Sequence, residues 1–275
     1  MPLYYYIRDE LDEDAELTIE ILDAGGNVVR TMSSEEGEQE RCELGNEDPR
    51  RPISLKYPAT GQGLNEWSWD MKSEDIGCID NIMLHAGYDG PSVMPGEYTA
   101  RISVGGATDT ATFTVANDPR SFATDAEVEE WADAMLRVKG MVTEILQTLD
   151  RARDARGQIE DLLADHDDTQ LEQWGEAAIS AIDEWEKQIT QLKHETYEDE
   201  DAWPSMLDGQ LRYVMDVIDE AGAPVTDGAR TRLADLSARW RERQGELRAI
   251  TDDYIRPINQ WANGAEVPHV VSPID

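Results

Sequence analysis

The chain has 275 residues, of which 40% are hydrophobic and 30% are charged. This length fits one large domain or two smaller ones, and the hydrophobic fraction allows a buried core in each of two modules. The sequence contains no run of roughly 18 consecutive apolar residues, so we expect no membrane insertion. Residues 1–6 lack the basic and apolar regions of a signal peptide, and both a cytoplasmic and a cell-surface location stay open.

Acidic residues dominate the charge. Asp and Glu outnumber Lys and Arg by 59 to 24, which gives a net charge of −35. The acids are spread through periodic segments that also contain eight Trp, which is not typical of a disordered acidic tail. Direct binding to nucleic acid or to an anionic membrane is disfavoured, since both require clustered Lys and Arg. A DNA mimic or a binder of basic partners is one alternative.

We prefer an environmental explanation for the charge. A surface rich in carboxylates and poor in Lys keeps a protein hydrated in concentrated salt, where the Debye length falls to ~3 Å at ~1 M and self-repulsion is screened. The composition resembles that of proteins from extremely halophilic archaea. We therefore expect the fold to weaken at low salt, where the repulsion returns.

The first 118 residues alternate apolar and polar positions, which predicts strands. Tight hairpins are predicted at residues 23–27 and at Gly105-Gly106, and long loops at residues 33–52 and 71–94. About seven short strands joined by such turns indicate a β-sandwich. The predicted strands are residues 3–7, 16–22, 28–32, 53–57, 64–69, 98–104 and 108–115.

Aromatic residues of this first module lead to two further expectations. Trp67 and Trp69 share one face of their strand and are predicted to pack in the core, with Leu64 joining them at a bend. Tyr4, Tyr5 and Tyr6 place aromatic rings on both faces of the first strand. This pattern suggests that the strand is covered on both sides, on one of them by a neighbouring domain.

After Asp118-Pro119-Arg120 the apolar residues recur every three and four positions, which predicts helices. Thr124 and Glu127 form the pattern of a capping box for a first helix that runs to about residue 163. A second helix spans about residues 171–192, a third starts at Pro204, and a fourth starts after Thr226. Pro257 is expected to bend or end the fourth helix.

The resulting fold class is α+β with several domains. Residues 1–118 are predicted to form an Ig-like or fibronectin-III-like β-sandwich, and residues 119–262 an antiparallel bundle of about four helices. The first two helices could form a long hairpin resembling a coiled coil that projects beyond the bundle. Residues 263–275 are predicted to be an irregular tail.

No arrangement of residues predicts catalysis. Glu66 and Asp70 flank the two Trp residues in the way that a glycosidase pair could, but Asp70 is better explained as the anchor of the following turn. The chain has no phosphate-binding glycine loop, nucleophile elbow or zinc-protease motif. We therefore predict that the chain is not an enzyme and holds no cofactor.

Metal binding is also disfavoured. The four histidines are scattered, and a loop cation site near His85 is less plausible than a solvated loop. Asp165, Asp167 and Asp168 could hold calcium, yet they lack the glycine and the terminal Glu of an EF-hand loop. Cys42 and Cys78 have no second ligand at zinc spacing, and they are either a disulfide or two free thiols.

Several short motifs together resemble a known type of region. They are LTIEILD at residues 17–23, GNVVR at residues 26–30, GLNEWSWD at residues 63–70 and PGEYTAR at residues 95–101. Their order resembles the C-terminal region that follows the β-propeller in large microbial proteins of the sortilin-like or BNR-repeat glycosyl hydrolase type. The Trp-Asp and Pro-Gly-x-Tyr portion is also similar to the Ig-like module of flagellar hook-capping proteins. The structural residues of these motifs are Trp67, Trp69, Asp70, Pro95, Gly96, Tyr98, Asp118, Pro119 and Arg120.

The resemblance implies an accessory role. The propeller that would carry hydrolysis is not part of this chain, and no propeller box motif occurs in it, so no catalytic residue can be carried over. Expected partners are an upstream β-propeller of the parent protein, another protein, or a second copy through the helices. The alternatives are a carbohydrate-binding module that uses surface aromatics and a free-standing adaptor that oligomerises through its helices. Met1 need not be the natural start.

Overall fold

The computed structural model describes residues 1–12, 15–35, 57–79, 82, 84, 86–195 and 198–274. In these residues the chain is α+β, with six antiparallel strands followed by a helical region. Most of the predicted loop at residues 33–52 and of the predicted strand at residues 53–57 lies outside the described residues. None of the described helices is long and apolar enough to span a membrane.

The strands form two sheets. Strands β1 and β4 pair with each other, and the second sheet has the order β3-β2-β5-β6. Both predicted hairpins are confirmed, and Gly105 and Gly106 have φ values of 55° and 81°, as a tight two-residue turn requires. The strands are β1 (Pro2–Ile7), β2 (Leu17–Leu22), β3 (Val28–Ser33), β4 (Gly63–Ser68), β5 (Gly96–Val104) and β6 (Ala107–Val115).

The two sheets share one apolar core. Trp67 and Trp69 are both buried in it, as predicted, and Trp69 lies edge-on to Tyr98 with ring centroids 5.9 Å apart. The prediction that Leu64 joins this core is wrong. Side chains alternate along a strand, so a β4 strand with Trp67 inside must point Leu64 to the other face, where it is exposed.

The helical region has four long helices. The capping box is confirmed, because Thr124 and Glu127 bond to each other's backbone amides. One prediction is wrong: the third long helix begins at Leu207 rather than at Pro204, and a one-turn helix lies before it. The helices are α1 (Asp125–Asp165), α2 (Thr169–Ile189), α3 (Asp199–Ala202), α4 (Leu207–Ala221), α5 (Asp227–Ile250) and α6 (Arg256–Ala265), with a π-helical turn at Thr251–Ile255.

The long helices form a closed bundle. Helix α1 packs on α2 and α4, and α5 packs on the same two helices. The far end of α1 and α2 does not project freely, because Ile255, Ile258 and Val270 cover it. The predicted irregular tail is therefore part of the packed structure. Asn259 donates to Val270 O at 2.9 Å and accepts from Val270 N at 2.7 Å, and α6 extends beyond the predicted domain end at residue 262.

The segment between β4 and β5 joins the two halves. The sequence predicted it only as a loop, and it does contain no long strand or helix in its described part. Four large aliphatic side chains of this described part are nevertheless buried in the core of the helical bundle, where their apolar surface is removed from water. These residues are Ile76, Ile79, Ile82 and Leu84. The boundary at Asp118 divides the sequence by periodicity, but it does not divide the cores.

Polar contacts of Glu74 and Asp75 tie this joining segment to both halves of the protein. On the sheet side, Glu74 N donates to Val29 O at 2.8 Å, and Arg30 pairs with Asp75 at 2.5 Å. On the helix side, Lys139 of α1 donates to Glu74 O at 2.6 Å. The segment thus holds the sheets and the bundle in one defined arrangement.

Candidate functional site

The motif residues of the first module shape turns and do not converge on a site. Asp70 accepts a hydrogen bond of 2.9 Å from Lys72 N, which anchors the turn after β4. The hydroxyl of Tyr98 donates to Met94 O at 2.8 Å, across the start of β5. Asp118 and Arg120 pair at 2.6 Å on the surface, and the guanidinium lowers the pKa of Asp118 to about 2. These contacts are structural.

Two carboxylates near the candidate metal sites, Asp168 and Asp75, make other contacts. Asp168 caps α2 by accepting from Leu171 N at 2.9 Å, and it also accepts from Trp261 Nε1 at 3.2 Å. Asp75 pairs with Arg30, as described, while His85 lies outside the described residues. No group of three or more His, Cys, Asp or Glu suited to a metal ion occurs in the part of the chain that the structure describes.

The remaining histidines and the cysteines are dispersed. His194 is buried and its Nε2 lies 2.9 Å from Trp203 O, whereas Nε2 of His269 lies 2.9 Å from the side-chain oxygen of Asn263. Cys78 is not a free thiol. Cys42 lies outside the described residues, so the disulfide between the two stays a prediction.

The outer face of the β1–β4 sheet is the strongest candidate for a functional surface. Tyr4, Tyr6 and Leu64 project from it with exposed fractions of 63%, 70% and 73%. Tyr6 and Leu64 are direct cross-strand partners, and Tyr4 is two residues before Tyr6 on the same side of β1. We call these three side chains the Tyr4–Tyr6–Leu64 face. The sequence predicted that both sides of β1 are covered, but the described residues leave this side open.

The opposite side of the same strand is firmly held. Leu3, Tyr5 and Ile7 pack against the core between the sheets. The hydroxyl of Tyr5 donates to Ala59 O at 2.6 Å, and burial raises the pKa of Tyr5 to about 12. The amino group of Met1 donates to Trp69 O, and Trp69 N donates back to Met1 O at 2.9 Å. The Tyr4–Tyr6–Leu64 face is therefore presented by an ordered sheet.

The electrostatics of this face differ from those of the chain as a whole. Strand β1 contains no charged residue, and β4 contains only Glu66, the cross-strand partner of Tyr4. Glu66 is thus the one carboxylate on this face, and in a chain with a net charge of −35 such a weakly charged area lets a partner approach with little like-charge repulsion. Aromatic residues at exposed positions are also typical of interaction surfaces.

Sequence reasoning found the tyrosines of this face and missed Leu64. The sequence does contain the information. Leu64 is three positions from Trp67, and side chains alternate along a strand, so the two residues must lie on opposite faces. No family model, curated protein or solved structure matches the chain.

Proposed function

We propose that this chain is a non-catalytic accessory module that docks onto another domain through the Tyr4–Tyr6–Leu64 face. The observation that carries the proposal is a paired sheet face with three large exposed side chains and a single carboxylate, that of Glu66. Tyrosine is enriched at interfaces because its ring buries a large area with few rotatable bonds. The joining segment supports a structural role, since it fixes the bundle relative to that face.

The proposed context is the C-terminal region of a halophilic protein of the sortilin-like or BNR-repeat glycosyl hydrolase type. In this proposal the two sheets are an Ig-like sandwich, α1 and α2 pair in a manner resembling a coiled coil, and the partner is the upstream β-propeller. The motifs at residues 63–70 and 95–101 are the support for this context. Their ordered geometry around Trp69 and Tyr98 is compatible with it.

A binding measurement tests the docking role. The region encoded upstream is expressed separately and titrated into the 275-residue chain by calorimetry in molar KCl. We expect the triple variant Tyr4→Ser, Tyr6→Ser and Leu64→Ser to bind about 100-fold more weakly, which corresponds to about 2.7 kcal/mol. The matched control is Val217→Ser, an exposed apolar residue on α4. Equal affinities for the triple variant and wild type, or no binding by wild type, would contradict the proposal.

Carbohydrate binding is the second candidate, and the exposure of Tyr4 and Tyr6 on one sheet face favours it. Two residues on one side of a strand stand about 7 Å apart, so two rings can stack on a saccharide. Trp67 and Trp69 cannot serve as this platform because they are buried. A calorimetric survey of oligosaccharides tests the idea, with Tyr4→Ser and Tyr6→Ser as variants. Heat signals that persist in both variants would count against this candidate.

A further inference from the structure

A small cavity opens where α2, the start of α4 and α5 meet. Its volume is about 110 Å³, and it is lined by Gln188, Met206, Leu207, Arg239 and Arg243. A cavity of about 150 Å³ holds benzene, so this one has room for about four or five non-hydrogen atoms. None of the elements that form it belongs to the β1–β4 sheet.

The polar part of the lining consists of hydrogen-bond donors. Arg239 donates to the side-chain oxygen of Gln210 at 2.6 Å and makes no ion pair within the described residues. Arg243 lies between Glu242 and Glu246, at 3.1 Å and 3.0 Å, and donates to the side-chain oxygen of Gln188. Each guanidinium has five N–H groups, so both arginines have donors left for a ligand.

The charge of this lining is opposite to that of the chain. Carboxylates outnumber basic residues by 59 to 24 overall, yet two guanidiniums and no carboxylate line the cavity. Glu242 and Glu246 compensate Arg243, so Arg239, which has no ion pair within the described residues, is the cation that favours a negatively charged ligand. A guanidinium binds a carboxylate through two parallel hydrogen bonds, which a monatomic anion cannot form.

The other part of the lining is apolar. Leu207 is buried, and Met206 has a flexible thioether side chain that adapts to the shape of a small ligand. A ligand that satisfies both parts has a charged oxygen pair at one end and a hydrocarbon group at the other. The positive end of the α4 dipole adds to the field of the arginines at this place.

We propose that this cavity binds a short-chain monocarboxylate of about the size of acetate. The carboxylate contacts Arg239, and the methyl group packs against Met206 and Leu207. The proposal is independent of the docking role, because it uses α2, α4 and α5 rather than β1 and β4.

The test uses ¹³C-labelled acetate, observed by NMR line broadening with the 275-residue chain in molar KCl. Arg239→Gln removes the charge from the lining, whereas Arg241→Gln makes the same change on the exposed side of the same helix, outside the cavity. We expect one saturable site in wild type and in Arg241→Gln, with binding at least about 10-fold weaker in Arg239→Gln. Ethylammonium, a cation of similar size, should not bind.

A second variant keeps the test decisive if Arg239→Gln fails to fold. Met206→Phe fills the cavity without a change of charge, and it should also weaken acetate binding about 10-fold or more. Thermal unfolding monitored by circular dichroism establishes that each variant is folded. The proposal is overturned by absence of saturable acetate binding in wild type, by equal losses in Arg239→Gln and Arg241→Gln, or by unchanged affinity in a folded Met206→Phe.

Discussion

The guanidinium of Arg212 on α4 donates a hydrogen bond of 2.6 Å to Gly77 O, which lies 135 residues earlier in the chain. The same side chain pairs with Asp208 at 3.0 Å, and both ionic groups are almost completely buried. A third contact reaches Gly87 O at 3.3 Å. One side chain therefore donates to two backbone carbonyls of the joining segment and to one oxygen of the Asp208 carboxylate on its own helix.

Replacement of Arg212 by Met is expected to destabilise the protein by about 3–5 kcal/mol, because it leaves the Asp208 carboxylate buried without its cation. Urea unfolding in molar KCl measures this loss. The double variant Asp208→Asn with Arg212→Met should recover part of it. Arg230→Met is the control, since Arg230 pairs with Glu130 and Asp227 at the surface and should cost at most about 1 kcal/mol. Similar losses in Arg212→Met and Arg230→Met would refute the role assigned to the buried pair.

Gly90 has no room for a side chain. A Cβ atom there would lie 2.2 Å from Glu74 O and 2.4 Å from Ser73 O, and both are backbone atoms. Gly90→Ala should therefore cost at least about 2 kcal/mol in urea unfolding. Gly140→Ala is the matched change, because nothing lies within 4 Å of a Cβ atom at that position in α1. It should stabilise the protein by about 0.5–1 kcal/mol, since alanine favours helices. A tolerated Gly90→Ala would show that the joining segment is not tightly packed.

Asp216 makes the stability depend on pH. Burial raises its pKa from 3.8 to about 6; smaller effects come from Lys72, which opposes the rise, and from Glu220, Asp219 and Asp89, which add to it. A raised carboxyl pKa means that the folded state binds a proton more tightly than the unfolded state. The contribution of this group to stability is therefore lost as the pH rises from about 4 to about 6.

Asp216→Asn removes this dependence. Near pH 7 the variant should be more stable than wild type by about 1–2 kcal/mol, since solvent screens this partly exposed carboxylate, and the difference should shrink towards zero near pH 4. Urea unfolding across this pH range measures it, with Asp235→Asn as the control because Asp235 is exposed on α5. A difference between wild type and Asp216→Asn that stays constant with pH would disprove the assignment.

The net charge of −35 predicts a strong dependence on salt. The melting temperature should rise between about 0.1 M and about 3 M KCl, because the Debye length falls from ~10 Å to a few Å and the carboxylates stop repelling each other. Sucrose at equal osmolality is the control and should have a smaller effect. A flat response to KCl would remove the halophilic interpretation of the composition.

The spacing of apolar residues and the local turn and cap motifs predicted helices and strands well wherever a single local pattern determines the element. Alternation located the hairpins around Gly26 and Gly105, and the Thr124 capping box located the start of α1 within one residue. Arg156 interrupts the apolar stripe of α1, and the structure explains it as the partner of Asp183 at 2.8 Å on α2. Such a partner lies on another element and cannot be read from the spacing within one helix.

The rest depended on tertiary contacts. Ile76 and Ile79 show no period because their segment is neither strand nor helix, so no spacing pattern predicted that they lie in the bundle core. The arginine-lined cavity arises only where three helices meet, and Arg239 looks like any surface arginine in the sequence. The Tyr4–Tyr6–Leu64 face was partly foreseen, since three consecutive tyrosines must use both sides of a strand.

The long separation between Gly77 and Arg212 also bears on how the protein is made. A ribosome adds about 5–20 residues per second, so the joining segment waits on the order of 10 s before its partner helix exists. Throughout that interval Ile76, Ile79 and Ile82 have no bundle core to enter. The dense negative charge then has a second use, because the hydrated carboxylates keep the nascent chain soluble while these side chains are still uncovered.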